Sequence, residues 1–462
     1  MKRAASLALA ALLAGCSLAP HYVRETPPVP QGWPVGDAYL RQSEAALPAV
    51  SWRDVFTDPR LQTLVGQALA NNRDLRVAAD NLAAARAQVQ VQRANQLPLV
   101  GIGAGVTRHS TESGGVTTQW SASGGVSTFE LDLFGRLANA TSAQQDIALA
   151  TESSTRTVRL GLVADLANAW AERAADAELL QVARETANAA GRQVELQRAL
   201  LRGGVAARSD VAQAEQVLAT AEADVAAQTT AVAQDRNLIE LLVGAPVDPS
   251  LLADDLGTVS ASVQAIPAGT SSEVLLRRPD VLAAEYRLKA ANANIGVARA
   301  ALFPRISLTA LLGLAATSFE GLFKAGALTS TLGGSGSYAL FAGGGAPANV
   351  RVSEAQRDAA LATWEKTVQG AFREVADALA RQGTMAEELA AVERRTAAAA
   401  DTARLVTAQY RGGVASSLAN LDAQRSLYAA QRSEVATRLE AVRSRVTLYR
   451  VLGGDQLVAT AP

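Results

Sequence analysis

The chain has 462 residues and a formal net charge of −1, with 49% hydrophobic and only 4% aromatic residues. This near-neutral balance lacks the basic patch that nucleic-acid binding requires, so no nucleic-acid partner is expected. His21, His109 and Cys16 are the only histidines and the only cysteine. They offer no metal cluster, catalytic triad or internal disulfide, so neither an enzyme nor a bound cofactor or metal is expected.

The N-terminus has the pattern of a bacterial lipoprotein signal over residues 1–15. Lys2 and Arg3 precede an apolar run that is too short to cross a bilayer as a helix. Small residues before Cys16 predict cleavage at that cysteine, which would carry covalent diacylglycerol and N-acyl lipid; the alternative is a chance cysteine. No aspartate follows Cys16, which favours the outer membrane. The proline-rich start of residues 16–57 predicts an extended, lipid-anchored segment.

A helix and then two strands are predicted next. Asp58-Pro59 is a typical helix start, and the helical pattern continues until Pro98. Between residues 99 and 133, apolar residues alternate with glycine, serine and threonine around a turn at Gly114-Gly115, which predicts a strand pair. The alternating glycines are not a nucleotide-binding fingerprint, because neither a phosphate-binding lysine nor a correctly spaced acidic residue follows them.

A long helix, a sharp turn and a returning helix follow the strands. Residues 136–201 contain no proline, so one helix about 100 Å long is expected. The adjacent glycines Gly203-Gly204 interrupt the helical pattern and predict the tip of a helical hairpin at residues 202–210. The returning helix is expected to end at Gly244.

The same order of elements occurs a second time. Arg202 corresponds to Arg411 at a shift of 209 residues, and Pro98 corresponds to Pro304 at a shift of 206. Such a nearly constant shift indicates an internal duplication. The predicted boundaries are a first repeat at 58–244, a linker at 245–271, a second repeat at 272–454 with strands at about 305–341 and a tip at about 411–418, and a tail at 455–462.

The strands are the predicted route across a membrane, because no apolar run has the length of a transmembrane helix. Segments of about ten residues with an alternating pattern match tilted transmembrane strands. Four strands cannot close a barrel and open edges are not tolerated in lipid, so two, three or four chains would have to contribute 8, 12 or 16 strands. A coiled-coil rod is the alternative, but it leaves the glycine-rich strand pairs unexplained.

Two strings of residues resemble the TolC/OprM-type outer-membrane efflux proteins, specifically their lipoprotein branch that serves RND-type pumps. They are LRRPD at 276–280 followed by ANIGVARAALFPRI at 293–306, and LDAQRSLY at 421–428. The resemblance implies a mixed α+β membrane protein, which is a homotrimer with a 12-strand transmembrane β-barrel and a long periplasmic α-helical barrel with coiled-coil tips. An equatorial belt would draw on the linker, the N-terminal segment and the tail.

The function implied by this resemblance is a passive exit duct of a tripartite efflux system. It would reside in outer-membrane lipid, dock a periplasmic membrane-fusion adaptor and an inner-membrane RND transporter, and open at its periplasmic tip. A type I secretion channel and a periplasmic coiled-coil scaffold lipoprotein are the alternatives. Neither the exported compounds nor the cognate adaptor and pump can be inferred from the sequence.

The resemblance also assigns candidate roles near the second tip. Asp422 corresponds to an aperture aspartate and Tyr410 to a constriction tyrosine, with Leu418 and Leu421 as an alternative apolar gate. Ala415 and Ala419 replace an arginine and a second aspartate of a TolC-like ionic lock. An ordinary solvated charge at Asp422 and helix packing by Tyr410 are the alternatives.

Adaptor docking is predicted at both hairpin tips, where the same residues could equally serve only to cap the helices. The candidates are Arg202, Gly203, Gly204, Val205, Ser209 and Asp210 in the first tip, and Arg411, Gly412, Gly413 and Val414 in the second.

Overall fold

A computed structural model describes residues 17–39, 51–110, 115–266 and 272–454. The predicted signal peptide, the predicted lipidation site Cys16 and the C-terminal tail lie outside these residues. Within them, no helix is both long enough and apolar enough to span a membrane.

Helices and strands follow one another in an order that repeats once along the chain. The helices are α1 (Trp52–Val55), α2 (Pro59–Asn71), α3 (Arg73–Ala94), α4 (Arg136–Arg202), α5 (Arg208–Val243), α6 (Leu256–Ser262), α7 (Pro279–Ala300), α8 (Gly345–Arg411) and α9 (Ser417–Val451). The strands are β1 (Val100–Ser110), β2 (Val116–Leu131), β3 (Arg305–Ala316) and β4 (Leu328–Ser337), and short 3-10 helices lie at Pro249–Leu251, Ser272–Arg277 and Glu320–Phe323.

Both strand pairs belong to one antiparallel sheet with the order β1-β2-β3-β4. Ile102 pairs with Gly124, and Gly124 pairs in turn with Leu312, which joins the two halves of the duplication between β2 and β3. The register shifts between Val126 and Phe129. Next to this bulge, Gly125 has a φ of 139° and no space for a side chain, because a Cβ atom would meet the carbonyl oxygen of Ala310.

The chain divides into two compact units, and neither unit corresponds to one half of the duplication. The first unit contains residues 1–27, 80–153 and 282–366, and the second contains residues 28–79, 154–281 and 367–462. Each unit therefore takes equivalent segments from both repeats. The two sequence repeats are not separate structural domains.

The N-terminal segment is held against α7 within the first unit. Glu285 is only 2% exposed and accepts hydrogen bonds from Arg24 Nη2 at 2.6 Å and Tyr22 Oη at 3.3 Å. Lys289 Nζ lies 3.2 Å from the same carboxylate. A buried carboxylate needs such partners because losing its hydration is costly. The segment predicted to be extended therefore has specific contacts.

Aromatic and aliphatic side chains from several elements form the core of the second unit. Trp52, Phe56 and Tyr449 are buried, and the rings of Phe56 and Tyr449 meet edge to face at 5.3 Å. Trp170 Nε1 donates to the carbonyl of Leu251 at 2.9 Å, and Phe56 forms an isolated β-bridge with Val263. Burial of these large side chains supplies hydrophobic stabilisation. The predicted linker at 245–271 accordingly contains ordered structure in its described part.

The first predicted helix is interrupted at Asn72, which corrects the expectation of one continuous helix up to Pro98. Asn72 caps α3 by accepting a hydrogen bond from the backbone of Leu75 at 2.9 Å, and its Nδ2 donates to the carbonyl of Leu242 at 2.8 Å. Gly244 ends α5 with a φ of 78° beside Asn71. The capping asparagine thus begins α3, and the left-handed glycine ends α5.

Candidate functional site: the two hairpin tips of the second unit

Both hairpin tips have the same backbone conformation. Gly204 has a φ of 75° and Gly413 has a φ of 76°, the left-handed conformation that favours glycine. In the first tip, the amide of Val205 donates to the carbonyl of Leu200; in the second, Val414 donates to Gln409. These backbone hydrogen bonds are those of a helix that ends in a left-handed glycine. The turn occupies residues 203–207 in the first tip and 412–416 in the second.

The helices after the two turns are capped differently. Ser416 Oγ accepts from the amide of Ala419 at 3.1 Å and caps α9. Ala207 has no side chain that could do this, and the carboxylate of Asp210 instead accepts from the amide of Ala207 at 3.1 Å. Ser209 and Asp210 therefore lie in the first turn of α5, and Asp210 has a structural role in addition to its predicted docking role.

Exposed side chains remain at both tips. Val205 and Val414 hold equivalent positions and are largely exposed, and Arg202 and Arg411 are exposed at the ends of α4 and α8. Exposed apolar groups beside exposed cations form a surface that another protein can bind. The docking role of these residues stays a prediction.

A buried glutamine connects the two hairpins. Gln197, on α4, is 1% exposed, and its Nε2 donates to Tyr410 Oη and to Ser417 Oγ, both at 2.7 Å. An amide nitrogen has two hydrogens, and both are used here. The end of α4 is thereby bonded to the last turn of α8 and the first residue of α9. We call this contact the Gln197 link.

The sequence offered no signal for Gln197, which lies in a segment of mixed polar and apolar residues, RQVELQR at 192–198. Tyr410 was proposed for a constriction, and the structure places it in this contact between hairpins. Nearby, Thr407 Oγ1 donates to Asn420 Oδ1 at 2.8 Å, which joins α8 to α9. Asn420 is fully buried, and its Nδ2 has no hydrogen-bond partner among the described residues.

The remaining gating candidates differ in exposure. Asp422 is exposed and lies 3.6 Å from Arg425 Nη1, one turn further along α9. Leu418 is 53% exposed, whereas Leu421 is 2% exposed. A side chain buried inside the chain is not available to line an opening. The proposed apolar gate is thus reduced to Leu418.

A contact between α5 and α9 lies further from the tip than the Gln197 link. Asp224 Oδ2 accepts from Tyr428 Oη at 2.6 Å and from Arg432 Nη1 at 3.2 Å. Burial and the neighbouring carboxylate of Asp224 raise the pKa of the Tyr428 hydroxyl above its usual range. A cavity of about 550 Å³ adjoins this contact, and its lining includes Tyr428, Arg432, Asp422 and Leu418.

Comparison with known proteins identifies the family of this chain. The model of the family described as "Outer membrane efflux protein" matches residues 64–245 and 270–454. The chain belongs to this family. Its location is the outer membrane, and its role is transport in efflux.

Relatives and solved structures of this outer membrane efflux protein cover nearly its whole length. It is 40% identical over 459 residues to the probable efflux pump outer membrane protein TtgC of Pseudomonas putida, covering 97% of this chain and 95% of that protein. It is 34% identical to the cation efflux system protein CusC of Escherichia coli O157:H7, covering 96% and 97%. The open state of the Neisseria gonorrhoeae MtrE outer membrane channel has a TM-score of 0.85 at 32% identity, covering 96% and 99%.

A pair of carboxyl groups between α4 and α5 has unusual electrostatics in this efflux protein. Asp235 is buried, and its Oδ2 has no hydrogen-bond partner among the described residues. Burial, with the nearby negative charges of Asp176 and Glu172, raises the pKa of Asp235 to about 7. The same burial raises the pKa of Asp176. One proton shared by two carboxyls is the expected state near neutral pH.

Proposed function

We propose that this outer membrane efflux protein is the exit duct of a tripartite efflux system and that it acts as a homotrimer with a 12-strand transmembrane barrel. The barrel is supported by the different side chains on the two faces of the sheet. Ile102 on β1 is 95% exposed, and Leu312 on β3 and Leu332 on β4 are also exposed on the same face. The opposite face is formed mostly by glycine, serine and threonine.

An exposed apolar face and a small polar face suit a sheet between lipid and water. Strands β1 and β4 each have one neighbour in the four-stranded sheet, so each leaves an edge. Open edges are not tolerated in lipid, because backbone groups would lack hydrogen-bond partners. Three copies that pair β1 with β4 of the neighbour would satisfy those groups with twelve strands.

The barrel can be tested by thiol labelling of single-cysteine variants in a Cys16→Ala background. Ile102→Cys is expected to react with a lipophilic maleimide and not with a membrane-impermeant reagent. The adjacent Gly103→Cys is the matched control, since its Cβ would meet no atom within 4 Å, and it should react with the water-soluble reagent. Equal labelling of both positions by the water-soluble reagent would refute the barrel.

At the tips, we assign docking of a periplasmic membrane-fusion adaptor, which couples the duct to an inner-membrane RND transporter. The equivalent exposed pairs Arg202–Val205 and Arg411–Val414 support this assignment. Val205→Asp with Val414→Asp should prevent cross-linking to an adaptor without changing the oligomeric state. The cargo is left open, because relatives of similar identity bear names that refer to different cargoes.

The idle duct is closed at the tips in this proposal. The Gln197 link holds α8 and α9 against α4, and three copies of Asp422 would form a ring of like charges that attracts cations. Leu418 would add an apolar constriction. Asp422→Ala is expected to change the cation selectivity of the pore more than its opening frequency; the reverse result would assign Asp422 to the lock.

Lipid attachment at Cys16 is also part of the proposal. Ser17 follows this residue, and its Oγ donates to Asn139 Oδ1 at 2.8 Å, so the start of the described chain is fixed beside α4. Radiolabelled palmitate should be incorporated into the wild type and not into Cys16→Ala. Equal incorporation would refute lipidation at this position.

A further inference from the structure

We propose that Asp224, Tyr428 and Arg432 form a pivot that limits how much of α9 moves when the duct opens. We call this group the Asp224 latch. The proposal rests on the proposed gating at the tips and adds to it a set of positioning residues further along the hairpins. Asp224 acts through Tyr428 and Arg432 and not through contact with cargo.

The geometry of the latch makes it a strong contact. Tyr428 and Arg432 are four residues apart on α9, so they lie on the same face of the helix. Both donate to one oxygen of Asp224, at 2.6 and 3.2 Å, and the guanidinium lies 5.6 Å from the centroid of the Tyr428 ring. The Asp224 side chain is 23% exposed, so water screens this charge only in part. Hydrogen bonds to ionised groups are stronger than neutral ones.

The latch and the Gln197 link hold α9 at two separate points. Ser417 is bonded to Gln197 at the tip, and Tyr428 is bonded to Asp224 eleven residues later, about 16 Å along the helix. The cavity of about 550 Å³ between α4, α5 and α9 lies along this interval, and its lining includes Leu418 and Asp422.

A cavity beside a helix leaves room for that helix to move, because close-packed interiors resist displacement. Breaking the Gln197 link would therefore free the interval from Ser417 to Tyr428 from α4, and this interval would move together with the part of α8 to which Asn420 is bonded. The Asp224 latch would stop the movement from continuing along α9. Removing the latch should lengthen the moving part. The width of the open aperture and the frequency of opening are thus controlled at different positions.

The test measures open-state conductance and open probability separately, in single-channel recordings of purified trimers in planar bilayers. Gln197→Ala should raise open probability about tenfold or more and leave the conductance of the open state unchanged. Asp224→Ala combined with Gln197→Ala should raise the open-state conductance above that of Gln197→Ala alone. Tyr428→Phe, which removes only the hydroxyl, should also raise the open-state conductance, but by a smaller amount than Asp224→Ala.

Two further variants separate a pivot from general loosening of the hairpins. Glu215→Ala is the matched control, because it removes an interhelical ion pair with Arg198 at 2.6 Å that joins α4 to α5 without touching α9. It should leave the open-state conductance unchanged. Asp224→Asn retains an acceptor oxygen for both donors, so it should give a smaller conductance increase than Asp224→Ala.

Each outcome supports or overturns a defined statement. An open-state conductance that is the same with and without Asp224, while Gln197→Ala still raises open probability, would overturn the pivot and keep the proposed gate. Absence of any effect of Gln197→Ala on gating would overturn the gate itself. A conductance increase in Glu215→Ala equal to that in Asp224→Ala would also overturn the pivot, because it would show non-specific loosening.

Discussion

Neutralising Asp235 should remove a pH-dependent loss of stability from the second unit. The folded chain raises the pKa of Asp235 from 3.8 to about 7, so it holds more protons than the unfolded chain between these values. Stability is then greatest near the lower value and is lost as the pH rises through 7. The variant Asp235→Asn has the same shape, donates a hydrogen bond to Asp176 and does not titrate.

The magnitude follows from the size of the shift. About three pKa units correspond to a ceiling of roughly 4 kcal/mol. Asp176 is only half-buried, and Arg443 beside Glu172 and Arg173 beside Asp235 offset part of the repulsion. Solvent screening, and a pH window that begins above the unfolded pKa, reduce the expected loss to about 2 kcal/mol between pH 5 and pH 8.

The assay compares apparent thermal unfolding at a fixed scan rate in detergent at pH 5, 6, 7 and 8. The wild type should lose several degrees more than Asp235→Asn across this range, since both proteins share all other titrating groups. Asp401→Asn, at an exposed aspartate that pairs with Arg404 of the same helix, is the control and should follow the wild type. Parallel pH profiles for the wild type and Asp235→Asn would refute the shared proton.

Three other substitutions test contacts that the structure defines closely. Gly244→Ala places a Cβ 2.6 Å from the carbonyl oxygen of Asn71 in a left-handed conformation, so we expect a loss of about 2–4 kcal/mol in thermal unfolding. Gly204→Ala has nearly the same φ and no atom within 4 Å, so it should cost only about 1 kcal/mol, and equal losses would contradict the clash. Glu285→Ala removes the buried acceptor of Arg24, so limited proteolysis should cut residues 17–27 several-fold faster; an unchanged rate would show that this contact does not hold the segment.

Much of the local structure could be predicted because it depends on local chemistry. The glycines at 203–204 and 412–413 interrupt two helical patterns, and the structure ends α4 and α8 at Arg202 and Arg411. Alternation of apolar and small residues likewise predicted both strand pairs. Boundaries were less accurate: Leu133, Leu340 and Phe341 were predicted within strands but lie outside β2 and β4, because apolar residues also occur where a strand has already ended.

Features that depend on contacts between distant segments could not be predicted. The duplication suggested two similar halves, whereas each compact unit combines segments of both repeats. Gln197 became visible as a link only once Tyr410 and Ser417 were placed beside it. Leu421 was a candidate for an aperture, but helical periodicity alone does not show which apolar residues pack against a neighbouring helix.

The central claim is that this outer membrane efflux protein is a pore closed by contacts between its hairpin tips. Its most direct test is single-channel recording of purified trimers, wild type against Gln197→Leu, which keeps a side chain of similar size at this buried position but removes both hydrogen bonds. We expect rare openings in the wild type and frequent openings of the same conductance in the variant. Verified trimers of both proteins that conduct no ions would contradict the pore, and large constant openings in both would contradict closure by the Gln197 link.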